Sequence, residues 1–460
     1  MEKNQKFFLL KRTTMNFKNT VEEPGSYKDS SGRVVYIDGA VVRIVHDSFK
    51  QECLDIIEST FYQKCIDKGY LTGFEVKKNG DQLALISDRI DTFIYPYEWG
   101  FEQMKSAAIF QLDFLQYCLE HGYTLKDASP FNIQFVDGKP VFIDLLSVVK
   151  YEDTSPWYAY KQFCEMFVSP LVLSVYVKGS WIKQLLLDLD GMSLLVVSKL
   201  LPFKARFNSL VFFHIISLSK YKKKASANEV KIPKRKVSSI IKHLKVEIED
   251  LKPISSSKQW LNYANEFPYS KDEIKNKSQV LTNWLKLQDT KLLLDIGANH
   301  TSFVNDDSPR FKQMVLMDND AEVVDGLFLN QKQPGVSVVQ MDVTMMSPCV
   351  GLNLKERSSF VERVKPSVVL GLALIHHIFH QRNVPLDKIA EMFNMFNGNL
   401  IVEFIEESDE KFQLIKNPQN KHPYSKSIFE ACFSNYYKLE EVVEVKKGKR
   451  HMYLMSKING

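Results

Sequence analysis

The run Leu292-Leu-Leu-Asp295-Ile-Gly297-Ala-Asn299 constrains this chain more than any other stretch. Three leucines and an isoleucine make a strand apolar enough to be buried on both faces, and it runs straight into an acid and a glycine turn. In open parallel α/β sheets such a turn lies at the carboxyl edge of the strands, where ligands bind. Further apolar segments follow at residues 314–317, 337–341, 368–372 and 400–404, with a closing pair near 439–445 and 451–455. Strands alternating with helical stretches predict a Rossmann-like, seven-stranded α/β sheet with an antiparallel pair at its end.

The ends of these strands carry chemistry. The second reaches Asp318-Asn-Asp320, a carboxylate suited to accept hydrogen bonds from two ribose hydroxyls. The third reaches Asp342, placed for an adenine amino group. The fourth leads through Leu374 to His376 and His377. Each acid alone reads equally well as a turn residue or a helix N-cap. Together with Asp295, Gly297 and Asn299 they form one row along the ligand-binding edge of the sheet. The predicted cofactor-binding set is therefore Asp295, Gly297, Asn299, Asp318, Asp342 and Leu374. His376 and His377 are candidate catalytic bases, because imidazole titrates near neutrality. Glu403, read as lying just past the fifth strand, is expected to line the same pocket or fix a histidine.

Composition narrows the class. With 45% hydrophobic and 25% charged residues over 460, the chain has core enough for two or three domains. A formal charge of +5 lacks the concentrated basic face of a nucleic-acid binder. Six scattered cysteines form no CxxC pair, which argues against a zinc site and a disulfide framework and suits a reducing cytoplasm. No apolar run is long enough to span a bilayer. The expected division is a leader over 1–20, an N-terminal domain over 21–220, a basic linker over 221–255 and the α/β domain over 256–460. The lysine-rich 220–236 stretch reads as a solvated linker or a helix edge, with a lipid- or polyanion-binding patch as its functional alternative.

The N-terminal half has its own signals. Asp38-Gly39, between residues 33–37 and 40–45, predicts a tight hairpin. A long helix is expected over 101–121, closed by Gly122. After it, Asp127, Asn132 and Asp144 stand at the spacing found in the catalytic core of kinase-like phosphotransferases. There an Asp orients the accepting hydroxyl, and an Asn with a later Asp holds Mg²⁺ beside ATP. A glycine-rich nucleotide loop is missing, and the strand position of the usual lysine offers Arg43. The bland alternative is a helical acceptor-recognition domain in which these residues build a turn.

Several strings resemble the NoeA-like family of bacterial S-adenosylmethionine (SAM)-dependent class I methyltransferases, related to a rhizobial nodulation protein. They include Tyr95-Pro-Tyr-Glu-Trp99, Pro140-Val-Phe-Ile-Asp144, Asp295-Ile-Gly-Ala-Asn299, Ala373-Leu-Ile-His-His377 and Val402-Glu-Phe404. The resemblance runs from about Gly25 to Lys457. It implies SAM as cofactor and O-methylation of a small-molecule or glycan acceptor, while ATP and Mg²⁺ belong to the kinase-like spacing of Asp127, Asn132 and Asp144. The family's first loop resembles DIGANTG, whereas His300 and Thr301 stand here where Thr and Gly are expected. With an acid-rich, proline-containing segment over 303–311, that departure supports a second reading: a non-catalytic binding protein with a degenerate SAM pocket.

Overall fold

The computed structural model describes residues 20–220, 231–254, 269–299, 308–331 and 333–458. Two compact units emerge. The first comprises residues up to Tyr97, Phe101–Ile254 and Cys349–Ser358; the second comprises Glu98–Gly100, Ser255–Pro348 and Ser359 onward. The α/β region is thus not one continuous piece of chain: a short segment near each of residues 99 and 353 counts with the other unit.

The first unit opens with a five-stranded antiparallel sheet in the order β1-β2-β3-β5-β4. Its strands are β1 (Thr20–Glu22), β2 (Gly32–Ile37), β3 (Ala40–Val45), β4 (Phe74–Asn79) and β5 (Gln82–Ser87). Asp38 and Gly39 both take positive φ, 48° and 82°, which gives the turn the twist of its flanking strands. Val35, Ile37, Val42, Ile44 and Ala84 form the sheet's apolar face. Helices Asp47–Glu58 and Phe61–Asp67 lie between the third and fourth strands in sequence. Helix Phe101–Glu120 follows, with Met104, Ala108, Leu112, Leu115 and Leu119 all buried. Beyond it come β6 (Tyr123–Leu125), the hairpin β7 (Ile133–Val136) and β8 (Lys139–Phe142), and β9 (Val148–Lys150), which pairs with β6.

The linker expected over 221–255 is corrected in part. Lys234–Glu249 is a helix whose Val237, Ile241, Leu244 and Ile248 are buried, and it packs on Phe101–Glu120 within the first unit. Arg235, Lys236 and Lys242 are exposed, while Lys245 pairs with Asp113 of Phe101–Glu120. Residues 221–230 lie outside the described residues.

The second unit is a seven-stranded mixed sheet, β12-β11-β10-β13-β14-β16-β15. Its strands are β10 (Leu292–Ile296), β11 (Gln313–Asp318), β12 (Val336–Gln340), β13 (Val368–Gly371), β14 (Asn399–Ile405), β15 (Tyr437–Lys446) and β16 (Arg450–Lys457). The first five are parallel; β16 runs antiparallel to both β14 and β15. Counted from the first strand the order is 3-2-1-4-5-7-6, a methyltransferase-like α/β arrangement. The order reverses between β10 and β13, which opens a crevice above the carboxyl end of β10. Helix Lys271–Leu285 begins at a capping box of Ser270 and Glu273 and lays Leu281, Trp284 and Leu285 on the sheet core. Gly371 lets β13 pass under helix Leu386–Asn394, since a Cβ there would lie 2.8 Å from Phe393 Cζ. No helix among the described residues is long and apolar enough to cross a membrane.

Candidate active site

The crevice is built first by backbone. Leaving β10, the chain donates the N–H groups of Gly297 and Ala298 to the Met317 carbonyl at 2.8 and 3.1 Å, folding the turn against the end of β11. Gly297 takes φ 77°, and a Cβ there would sit 3.4 Å from Leu374 Cδ1. Asn299 follows at φ 52°, a conformation asparagine tolerates. Asp318 stitches the two turns together: Oδ2 accepts from Asn299 N–H at 3.1 Å and Oδ1 from Asp320 N–H at 2.9 Å. Asp320 is a helix N-cap for Ala321–Asn330, as its position before an apolar run suggests. The structure thus brings Asp295, Gly297, Asn299, Asp318 and Leu374 to one corner.

That corner is electrostatically unbalanced. Burial, and then the Asp318 charge, push Asp295 up to about 7, against the pull of Lys277. Burial likewise raises Asp318, although backbone N–H groups oppose the shift. Two drying carboxylates beside a tight glycine turn favour a ligand that brings hydroxyl donors and positive charge. A ribose and a sulfonium meet that description, so the residues present fit SAM.

Asp342 behaves differently from the expectation. Its Oδ1 accepts from Thr344 N–H and Thr344 Oγ1 at 2.9 and 2.7 Å, and its Oδ2 is paired with Arg382. This carboxylate caps a turn and neutralises an arginine; those partners compete with any adenine contact. His300, Thr301 and most of the segment expected over 303–311 lie outside the described residues.

His376 and His377 begin helix Ile375–Gln381, their rings 4.2 Å apart. Burial lowers both imidazoles, His376 well below its ordinary value and His377 to about 4, with Arg450 adding to each. Both are neutral at pH 7. Their Nδ1 atoms are buried with no hydrogen-bond partner among the described residues. Glu403 holds neither. It lies within β14, not past it, and its carboxylate binds Lys277 Nζ at 2.7 Å and the Tyr269 hydroxyl. Burial works against its charge, but Lys277 and Arg450 outweigh it and hold Glu403 below the usual range.

This carboxylate belongs to a network that the motifs did not reveal. Arg450 grips Asp409 with two bonds, 2.8 and 2.9 Å, and reaches Tyr269 Oη at 3.1 Å. Lys277 and Glu403 are both essentially inaccessible. One signal was present: Lys277 falls four residues before Leu281 and seven before Trp284, on the apolar stripe of its helix.

The first unit gathers the second predicted cluster. Asn132 Nδ2 donates to Asp127 Oδ2 at 2.9 Å, and Asp127 Oδ1 is buried without a partner among the described residues. Asp144 caps the next turn through Leu146 N–H at 3.2 Å; burial pushes its carboxyl up to about 6, with Arg43 opposing. Arg43, on β3, is buried and donates to Ser87 Oγ at 2.8 Å and to the Ile143 carbonyl. Among the described residues no three His, Cys, Asp or Glu side chains gather where they could hold a metal.

No family model matches the sequence. The nodulation protein NoeA of Rhizobium meliloti (strain 1021) is 28% identical over 410 residues, covering 84% of this chain and 85% of that protein. The chain is a NoeA homologue. Solved structures similar to it include the N-methyltransferase NodS from Bradyrhizobium japonicum WM9, at 8% identity and TM-score 0.32, covering 41% of this chain and 99% of NodS. The bifunctional kinase-methyltransferase WbdD is similar at 13% identity and TM-score 0.28, covering 45% of each chain.

Proposed function

We propose that the second unit binds SAM at the β10–β11 corner and transfers its methyl group to a small-molecule acceptor of saccharide type. The observation that carries this reading is the pair of desolvated carboxylates, Asp295 and Asp318, at the Gly297 turn. In it, Asp318 accepts from the ribose hydroxyls while still bracing Asn299 and Asp320, and Gly297 admits the cofactor close to backbone. Asp295 is ionised by the positive end of the ligand. Bound SAM supplies an electrophilic methyl group; the chain supplies alignment and a dry wall.

His376 and His377 line the acceptor side in this reading. An imidazole lowered to about 4 is in its base form throughout the neutral range but a weak proton acceptor. The general-base role therefore suits an acceptor whose own proton is acidic, or one whose developing negative charge lifts the imidazole. The saccharide class rests on homology to a nodulation protein. Titration calorimetry of the full chain with SAM tests the site: binding that Asp318→Ala weakens at least about tenfold is expected. Absence of any heat with SAM or its demethylated product would favour the non-catalytic binding reading instead.

For the first unit we propose a kinase-like scaffold. The support is a five-stranded sheet with helices after its third strand, a long helix, and Asp127, Asn132 and Asp144 around a hairpin. The ATP and Mg²⁺ of an active phosphotransferase do not fit these residues well. Asp144 is desolvated beside a guanidinium, and Asn132 is turned to Asp127. Acceptor recognition is the role left to it. ATP–Mg²⁺ binding that Asp144→Ala abolishes would overturn that assignment.

A further inference from the structure

One region of the first unit is apolar on its outside as well as its inside. Helix Leu194–Leu200 and the turn Phe203–Phe207 both pack against Phe212–Ser217. Leu194, Val197, Ala205 and Ile215 fill the interior of this module. Yet Leu195, Val196, Phe203, Phe207, Phe212 and Phe213 face solvent, with Phe203 70% and Phe207 80% exposed. Apolar side chains on the outer face of a helix are normally covered. Exposed apolar side chains gathered on elements that pack together, with Phe203 against Phe207 and Phe212 against Phe213, mark an interaction site.

The charges around it identify the partner. From Gly191 to Lys220 the sequence holds Lys199, Lys204, Arg206 and Lys220 and no aspartate or glutamate. All four cations are exposed. Arg206 lies over the Phe203 ring at 5.7 Å, and Phe203 meets Phe207 edge to face at 5.5 Å, so cation and aromatic share one tip. Protein–protein interfaces are depleted in lysine at their cores. Aromatic tips flanked by uncompensated cations match the headgroup region of an anionic bilayer, where rings enter the acyl boundary and Lys or Arg pair with phosphates.

We infer that the 195–213 face docks the protein on an anionic lipid surface, through Phe203 and Phe207 as inserted anchors and Lys199, Lys204 and Arg206 as phosphate partners. This places the membrane contact before the lysine-rich 220–236 stretch, on folded surface, and is independent of the SAM site.

Co-sedimentation of the full chain with vesicles tests it. Binding is expected to phosphatidylcholine–phosphatidylglycerol vesicles, weakened by salt, and to be nearly absent with phosphatidylcholine alone. Lys199→Gln, Lys204→Gln and Arg206→Gln together should lower partitioning by roughly a hundredfold. Phe203→Ser with Phe207→Ser should lower it by about tenfold or more. The charge variant touches only exposed side chains, so an unchanged melting temperature separates docking from folding. Failure of the wild-type chain to sediment with anionic vesicles would overturn the inference. So would equal sedimentation of all three proteins, or a dimer in solution that Phe203→Ser with Phe207→Ser dissolves.

Discussion

The two acidic clusters differ in what already neutralises them. In the first unit burial and the Asp29 and Asp127 charges push Asp144 up against Arg43, whose guanidinium is itself fastened to Ser87 and to the carbonyl of Ile143, while Lys126 is bound to Asp29. In the second unit burial and then the Asp318 charge push Asp295 up, while the nearby Lys277 is bound to Glu403. A cluster with its counter-ion built in is finished as architecture. Among the described residues the Asp295–Asp318 corner has no counter-ion of its own, and on that contrast rests the proposal of a scaffold in the first unit and a cofactor site in the second.

The largest expected effect is on stability. Glu403→Ala strands Lys277 in a buried site and should cost about 3–5 kcal/mol, read as a lowered denaturant midpoint with unchanged slope. Next comes Asp318→Ala, expected to cut SAM affinity at least about tenfold; an unchanged dissociation constant would erase the difference between the clusters.

Asp295 sharpens the contrast through pH. Its folded-state pKa, about 7, lies above the unfolded value near 3.8, so the folded ligand-free protein holds the extra proton between those limits. Stability of that form falls as pH rises from about 4 to 7, and Asp295→Asn should remove most of the fall in thermal melts. SAM affinity should move the opposite way, weakening up to about tenfold per pH unit below 7 as Asp295 takes up its proton. Smaller still is Asp144→Ala, for which SAM affinity within about threefold of wild type is expected by calorimetry. Asp342→Ala should change it least, since Thr344 and Arg382 already occupy that carboxylate.

Much of the second unit could be read in advance because its signals are local. An apolar strand entering an acid–glycine turn needs only adjacent residues, and residues 292–296 form the strand as read. The Asp38-Gly39 hairpin turn is legible for the same reason: positive φ at consecutive positions is a property of the dipeptide. The helix Lys234–Glu249 was masked by composition. Its stripe of Val237, Ile241, Leu244 and Ile248 repeats at helical spacing, but the lysines around it read as linker. Glu403 is expected to line the pocket or fix a histidine, whereas its carboxylate binds Lys277. Lys277 is 126 residues away from it, and Asp409 is 41 from Arg450, separations at which pairing leaves no mark in a single sequence.

The sequence by itself determined which strands build the second unit, where their polar ends fall, and that Asp295, Gly297 and Asp318 stand at neighbouring strand ends, because period and turn chemistry are set within a few residues. Only the tertiary structure decided which acids stay available. Asp342 is taken by Arg382, Glu403 by Lys277, and Asp295 remains short of a full counter-ion. The physical reason is that charge is costly only when water is removed, and burial is a property of the whole packed unit, not of any segment within it.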